Sequence, residues 1–160
     1  MTQAATAAET TAPVQDYLTV SLDDDVFAIP VGFVHEVLDP PPVTLVPNAP
    51  DFAPGLINVR GNIVPLIDLR RRFGMGAQGD TEHSRVIVSR IETEADSFFV
   101  GIKADAVHEV LSIAKGGVEA LPENGTRWPA RFLSGVIRHE GRFVILLDLE
   151  RILQSDAPAH

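Results

Sequence analysis

The chain has 160 residues, no cysteine and a formal net charge of −9 at pH 7. That length suits one domain with a substantial core, and without thiols it has neither a disulfide framework nor a cysteine nucleophile. No lysine or arginine precedes Arg60; such an acidic surface repels phosphate backbones and anionic lipid, which argues against a nucleic-acid binder.

Residues 1–13 are rich in Ala and Thr and lack periodicity, so they are expected to form a disordered tail. They have no basic start and no long apolar run, and are not read as a secretory signal. No later stretch approaches the roughly 20 apolar residues of a membrane span, so no direct membrane insertion is expected and the protein is read as cytoplasmic. From Asp16 onward, short β-type segments alternate with turn residues. "YLTVSL" and "VFAIP" flank "DDD"; "GLINV" and "NIVPLI" flank Arg60-Gly61, a tight-turn signal. "RVIVSRI" and "SFFVGI" flank "ETEAD", and "FLSGVI" and "RFVILL" flank "RHEG". This pattern predicts a mainly all-β fold, a small barrel or sandwich, with short helical turns at "DLRRRFG" and "DLERIL". The segment after Leu153, 154–160, is expected to be a second tail.

The chain also repeats itself. "VHEVL" occurs at Val34–Leu38 and again at Val107–Leu111, a shift of 73 (108 − 35). "GLINVRGNIVPLIDLRRRF" from Gly55 maps without a gap onto "GVIRHEGRFVILLDLERIL" from Gly135, a shift of 80 (135 − 55). Gly55/Gly135, Gly61/Gly141, Val64/Val144, Leu66/Leu146 and Asp68/Asp148 carry much of the match, and these residue types fix turns and cores. The residues 14–153 are therefore read as a single domain of two pseudo-repeats, about 17–73 and 85–153.

Several motifs resemble chemistry and have plainer readings. "GMGAQG" fits G-x-G-x-x-G, but it follows a helical turn and precedes a strand, the inverse of a dinucleotide site, and is read as a connector. His35-Glu36 and His108-Glu109 begin an H-E-x-x-H pattern, yet Asp39 and Ser112 stand where its second histidine is needed. On a regular strand an adjacent His and Glu point to opposite faces, so each pair is poorly placed to act on one atom. A small metal-dependent hydrolase using these four residues is the remote alternative. No cofactor, metal or catalytic residue is otherwise implied. Asp68 and Asp148 each follow an apolar strand and precede a helical turn, where an N-cap is the simpler reading than a paired-carboxylate site. The proline-rich "LDPPPVTLVPNAPDFAPG" is expected to be an ordered crossing between strands. Arg60, at a hairpin tip where its repeat counterpart Glu140 has the opposite charge, is the strongest candidate for recognition.

The stretch "APGLINVRGNIVPLIDLRRRFG" resembles the recurring segment of the CheW family of chemotaxis coupling proteins, G-x-x-N-x-R-G-x-x-x-P-x-x-D-L-R. The match uses Gly55, Asn58, Arg60, Gly61, Pro65, Asp68, Leu69 and Arg70, and family-like order extends from about Asp16 to Leu153. The resemblance implies two small SH3-like, five-stranded β-barrels packed side by side. It also implies a non-catalytic adaptor joining chemoreceptor cytoplasmic tips to the regulatory domain of the histidine kinase CheA. Carried over by position, receptor binding falls on Val34, Glu36, Gly55, Asn58 and Arg60. Kinase binding falls on Val43, Thr44 and Leu45, with Leu45 standing where many relatives carry arginine. A scaffold of the same kind in a non-flagellar pathway, serving pili or second-messenger control, is the near alternative.

Overall fold

In a computed structural model, residues 13–76, 79–122 and 128–154 are described. The expected tails thus fall almost wholly outside the described residues. The strands are β1 (Val14–Leu22), β2 (Asp25–Pro30), β3 (Val34–Leu38), β4 (Thr44–Leu45), β5 (Gly55–Val59), β6 (Asn62–Asp68), β7 (Arg85–Glu92), β8 (Ser97–Ala104), β9 (Ala106–Ala114), β10 (Val118–Glu119), β11 (Leu133–His139) and β12 (Arg142–Leu147). Two short helices, α1 (Leu69–Arg72) and α2 (Leu149–Leu153), follow β6 and β12. Both expected helical turns are present, and the strand-rich class is as the sequence indicated.

The strands form two six-stranded sheets, ordered β3-β7-β8-β6-β5-β4 and β10-β11-β12-β2-β1-β9. Each consists of five longer strands and one two-residue strand, β4 or β10. We call them the first and second barrel. The barrel boundary does not coincide with the repeat boundary. The opening hairpin of each repeat leaves its own unit: β1–β2 joins β9–β12, and β7–β8 joins β3–β6. Equivalent seams hold the exchanged hairpins, with β9 and β3 antiparallel to β1 and β7, and β12 and β6 parallel to β2 and β8.

Exchange explains why many strands read as nearly continuous apolar runs rather than strict alternation. Their two faces enter two different cores. In β7, Val86 and Val88 fill the first barrel, while Ile87 and Ile91 face a central cluster shared by both barrels. In β2, Ala28 belongs to the interior of the second barrel, and Phe27 and Ile29 to the central cluster. That central cluster is the largest of the three and includes Leu69, Phe73, Trp128, Phe132, Leu149 and Ile152. Phe73 lies 5.6 Å from both Phe27 and Phe132 and 5.9 Å from Trp128, centroid to centroid, within the range of favourable aromatic pairing.

The helices begin as read. Asp68 Oδ1 accepts from Arg70 N at 3.0 Å and Asp148 Oδ1 from Arg151 N at 3.2 Å, so each carboxylate is an N-cap. Gly74, with φ +79°, closes α1, and its N–H donates to Arg71 O at 3.1 Å. Arg72 is buried at 7 % exposure. Its Nε donates to Ile152 O at 2.7 Å, and its guanidinium lies over the Phe52 and Phe132 rings. Ile152 is its repeat counterpart (72 + 80), so a buried cation from one half satisfies the end of the other half's helix.

The proline-rich segment is an ordered crossing, as expected. Val46 N donates to Pro54 O, Ala53 N to Pro50 O and Asp68 N to Phe52 O, all within 3.0 Å. Among the described residues, no helix is long and apolar enough to cross a membrane.

Candidate functional site

The two "VHEVL" copies occupy equivalent places: the first is β3 itself and the second lies within β9. Both carry a β-bulge. Val34 pairs with Ser89 and Glu36 with Val88, leaving His35 as an extra residue. Val107 pairs with Val20 and Val110 with Leu18, so His108 and Glu109 together face Thr19. A bulge breaks the strict alternation of a strand. The expectation that each His and Glu would lie on opposite faces is thereby corrected: His35 and Glu36 line one groove, and His108 and Glu109 line another. The two pairs belong to different barrels. Among the described residues, no group of three or more His, Cys, Asp or Glu is arranged to hold a metal ion.

The first groove is built by β3, β7, β8 and the β5–β6 hairpin. Val59 pairs with Asn62, so the loop is only Arg60-Gly61. Both residues have positive φ, +54° and +91°, which is the type I′ geometry that matches the twist of the flanking strands. Asn58 Oδ1 accepts from Gly61 N at 2.8 Å and pins the turn. This backbone aims Arg60 across the sheet at Glu36. Arg60 Nη2 reaches Glu36 Oε1 at 2.9 Å, and Nε lies 3.3 Å from each carboxylate oxygen. The fork geometry is that of a strong guanidinium–carboxylate contact. The hydrogen bond donated by Arg60 outweighs the opposing desolvation and holds the Glu36 carboxyl below the usual carboxylate range, and the same bond raises Arg60. Beside them His35 packs against Phe99 with ring centroids 4.9 Å apart. The space left between them is only about 60 Å³.

Of the five residues carried over for receptor binding, Glu36, Asn58 and Arg60 come together at this hairpin. Val34 instead packs half-buried against the central cluster. Gly55 is at the far end of β5, about 13 Å from Val59 at strand spacing. There it pairs with Leu45, and a Cβ on Gly55 would lie 2.3 Å from Thr44 O. Its missing side chain is what lets β4 approach. Gly55 therefore sits beside Val43, Thr44 and Leu45 rather than beside Arg60. Those three residues form an exposed margin of the first barrel, where Leu45 is 70 % exposed. Two other arginines were not singled out from sequence. Arg72 is described above. Arg70 Nη1 bridges Asp23 at 2.7 Å and Asp105 at 2.9 Å, tying α1 to the β1–β2 turn of the second barrel and to the β8–β9 link between the barrels. Burial opposes its charge, but the hydrogen bond it donates to Asp23 and the field of Asp105 outweigh this and its pKa is raised. Arg70 is the last position of the family-like segment, whereas the only sequence signal for Arg72 was the "RRR" run.

A family profile for the CheW-like domain matches residues 16–157. The chain belongs to the CheW-like family. It is 33% identical over 145 residues to the chemotaxis protein CheW of Klebsiella aerogenes, covering 91% of this chain and 85% of that one. It is 28% identical over 142 residues to the CheW of Rhizobium meliloti, covering 89% of each. The crystal structure of the scaffolding protein TtCheW from Thermoanaerobacter tengcongensis superposes with a TM-score of 0.81 at 30% identity, covering 91% of this chain and 97% of that one. This CheW-like chain is accordingly a coupling adaptor of chemotaxis signalling, in a family of scaffolds rather than enzymes.

Proposed function

We propose that this adaptor couples the cytoplasmic tips of chemoreceptors to the regulatory domain of a CheA-type histidine kinase, as a cytoplasmic protein recruited to receptor arrays and without catalysis of its own. The observation that carries the reading is the layout of β5. One end holds the Arg60 hairpin, clamped to Glu36, and the other holds the exposed β4 margin with Val43, Thr44 and Leu45. Two partners can thus be engaged from opposite ends of a single strand. The clamp prepays the conformational freedom of a long side chain, which favours recognition through it. The receptor is assigned to Glu36, Asn58 and Arg60 at the hairpin, together with Val34 on the strand of Glu36 and Gly55 at the far end of β5. The kinase is assigned to Val43, Thr44 and Leu45.

The test is a reconstitution with a receptor cytoplasmic fragment and the cognate kinase, reading pull-down and kinase autophosphorylation. Arg60→Glu is expected to lower receptor binding and receptor-dependent activation while kinase binding persists. Val43→Asp is expected to do the reverse. Loss of neither contact in either variant would sink the assignment. Loss of both contacts in one variant would mean that the two surfaces are not separate. Because Arg60 is an exposed turn residue, its Tm is expected to move by a few degrees at most.

A further inference from the structure

The second barrel carries a groove that corresponds to the Arg60 groove residue by residue. Under the repeat shifts, Glu109 stands for Glu36, Glu140 for Arg60, Val144 for Val64 and Val26 for Phe99. The turn is the same as well: Glu140 and Gly141 have φ +54° and +80°, and His139 pairs with Arg142 across them. The backbone is therefore conserved between the halves while the side chain at the tip is reversed in charge.

Three consequences follow from that reversal. The bulge carboxylate loses its internal partner: Glu36 is 18 % exposed beneath Arg60, whereas Glu109 is 63 % exposed. The groove has a volume of about 260 Å³; Glu140 stands where Arg60 crosses the first groove and Val26 where Phe99 fills it, while Arg142 lines the rim. The tip also adds a second carboxylate. His139 Nε2 lies 3.4 Å from Glu109 and 3.7 Å from Glu140, longer than good hydrogen bonds. Arg142 is engaged elsewhere, with Nη2 donating to Asp24 O at 3.0 Å. Beneath these groups the floor is Val26, Val144 and the methyl-bearing side of Thr19, whose hydroxyl already donates to Glu109 O at 2.6 Å.

We propose that this groove is a docking site for an arginine side chain of a protein partner, held on Glu109 as Arg60 is held on Glu36. The first barrel displays the ligand chemistry within the same molecule: a bulge glutamate receiving a planar guanidinium over an apolar floor. In the second barrel the chain supplies the receiving half only. An arginine fits better than a lysine, since its fork matches a carboxylate and its stem can lie on Val26 and Val144. Glu140 would meet the same cation from the opposite rim, which strengthens the charge complementarity beyond that of the first groove.

The probe is the acetylated, amidated tripeptide Val-Arg-Gly, titrated into the full-length ¹⁵N-labelled protein at pH 8, with the Lys and Glu counterparts as controls. Saturable shifts are expected at the amides around Glu109 and Glu140-Gly141, and weaker binding is expected for the lysine peptide. Glu109→Gln should weaken binding by roughly tenfold, the loss expected when a charged acceptor of such a contact is neutralised. Glu92→Gln, outside both grooves, should leave it unchanged. Glu140→Arg should supply the guanidinium from within and abolish peptide binding. The proposal is overturned by the absence of saturable shifts, by shifts centred elsewhere, or by equal affinity in Glu109→Gln. It is independent of the receptor and kinase assignments, which are read by the reconstitution above and stand or fall with Arg60 and Val43.

Discussion

The two hairpins of this protein share a backbone and differ in what they present. Each has a two-residue turn with both φ positive, and each faces a His–Glu bulge across a small groove. Each also has a glycine, Gly55 or Gly135, that lets a two-residue strand lie against it. At the tip, Arg60 closes one groove on Glu36, and Glu140 leaves the other open before Glu109. The shared features are those that set chain direction and close approach, for which few residue types serve. The reversed features are exposed side chains that the fold does not require. Duplication has thus supplied two equivalent pedestals that differ in the side chains they present.

The largest expected effect comes from restoring symmetry at the axis between the halves. Arg72→Ile would give both halves the same residue at that point. It would strip Ile152 O of its donor and remove a cation stacked on two rings. A loss of about 2–4 kcal/mol is expected for deleting a buried charged donor, seen as a fall in Tm of roughly 5–15 °C. A change within 2 °C or so would show that the asymmetry at the axis carries no stability.

A smaller and more local contrast separates the two glycines. A Cβ at Gly55 meets a backbone oxygen at 2.3 Å, whereas one at Gly135 meets Val118 Cγ1 at 2.8 Å and Glu119 O at 2.9 Å. Gly55→Ala should therefore cost more than Gly135→Ala, both within the roughly 1–3 kcal/mol of overpacking. It should also raise amide exchange at Leu56, which pairs with Thr44. Equal costs would mean that β4 and β10 are equally free to move away.

Ser89 offers a test with the opposite sign. Its side chain is fully buried, and its Oγ has no hydrogen-bond partner among the described residues. Its position on β7 corresponds to Val20 on β1, since each pairs with the valine that opens a "VHEVL". Removing an unsatisfied buried hydroxyl relieves its desolvation cost. Ser89→Ala is expected to raise stability by about 1 kcal/mol in a denaturant titration. A clear loss would assign the hydroxyl a structural role.

These contrasts also show which parts of the molecule were legible in one dimension. Asp68 and Asp148 could be read as caps, and Arg60-Gly61 as a tight turn, because those features depend on residues within a few positions of each other. The turn at "RHEG" was read too long, since Arg138 and His139 stay in β11; nothing local says where pairing stops. The bulges in "VHEVL" were not legible at all, because a bulge is a relation between two strands and neither copy contains its partner. The exchange of hairpins was hidden for the same reason: a repeat in sequence reports common origin, while pairing is decided by which apolar faces meet. Glu36 and Arg60 were each in view, but their contact spans 24 positions and depends on the His35 bulge turning Glu36 toward the groove. Their assignment to a partner came from family resemblance and not from residue chemistry.

The smallest expected effect probes that contact directly. The Arg60 hydrogen bond holds Glu36 below its ordinary pKa, so the folded carboxyl ionises more readily than the unfolded one. A depressed carboxylate contributes stability that is fully present above its unfolded pKa and is lost as pH falls through its folded value. The clamp should therefore survive moderate acidification and open only at a pH below the ordinary carboxylate range. Arg60→Gln removes the bond and its charge together, and the Glu36 carboxyl should then titrate higher than in the parent protein. A side-chain carboxyl NMR titration of both proteins reads the difference, and high salt should reduce it because Arg60 is exposed. If Glu36 titrates identically with and without Arg60, the guanidinium does not rest on it in solution. The first groove would then be as open as the second, and the contrast between the hairpins would reduce to charge alone.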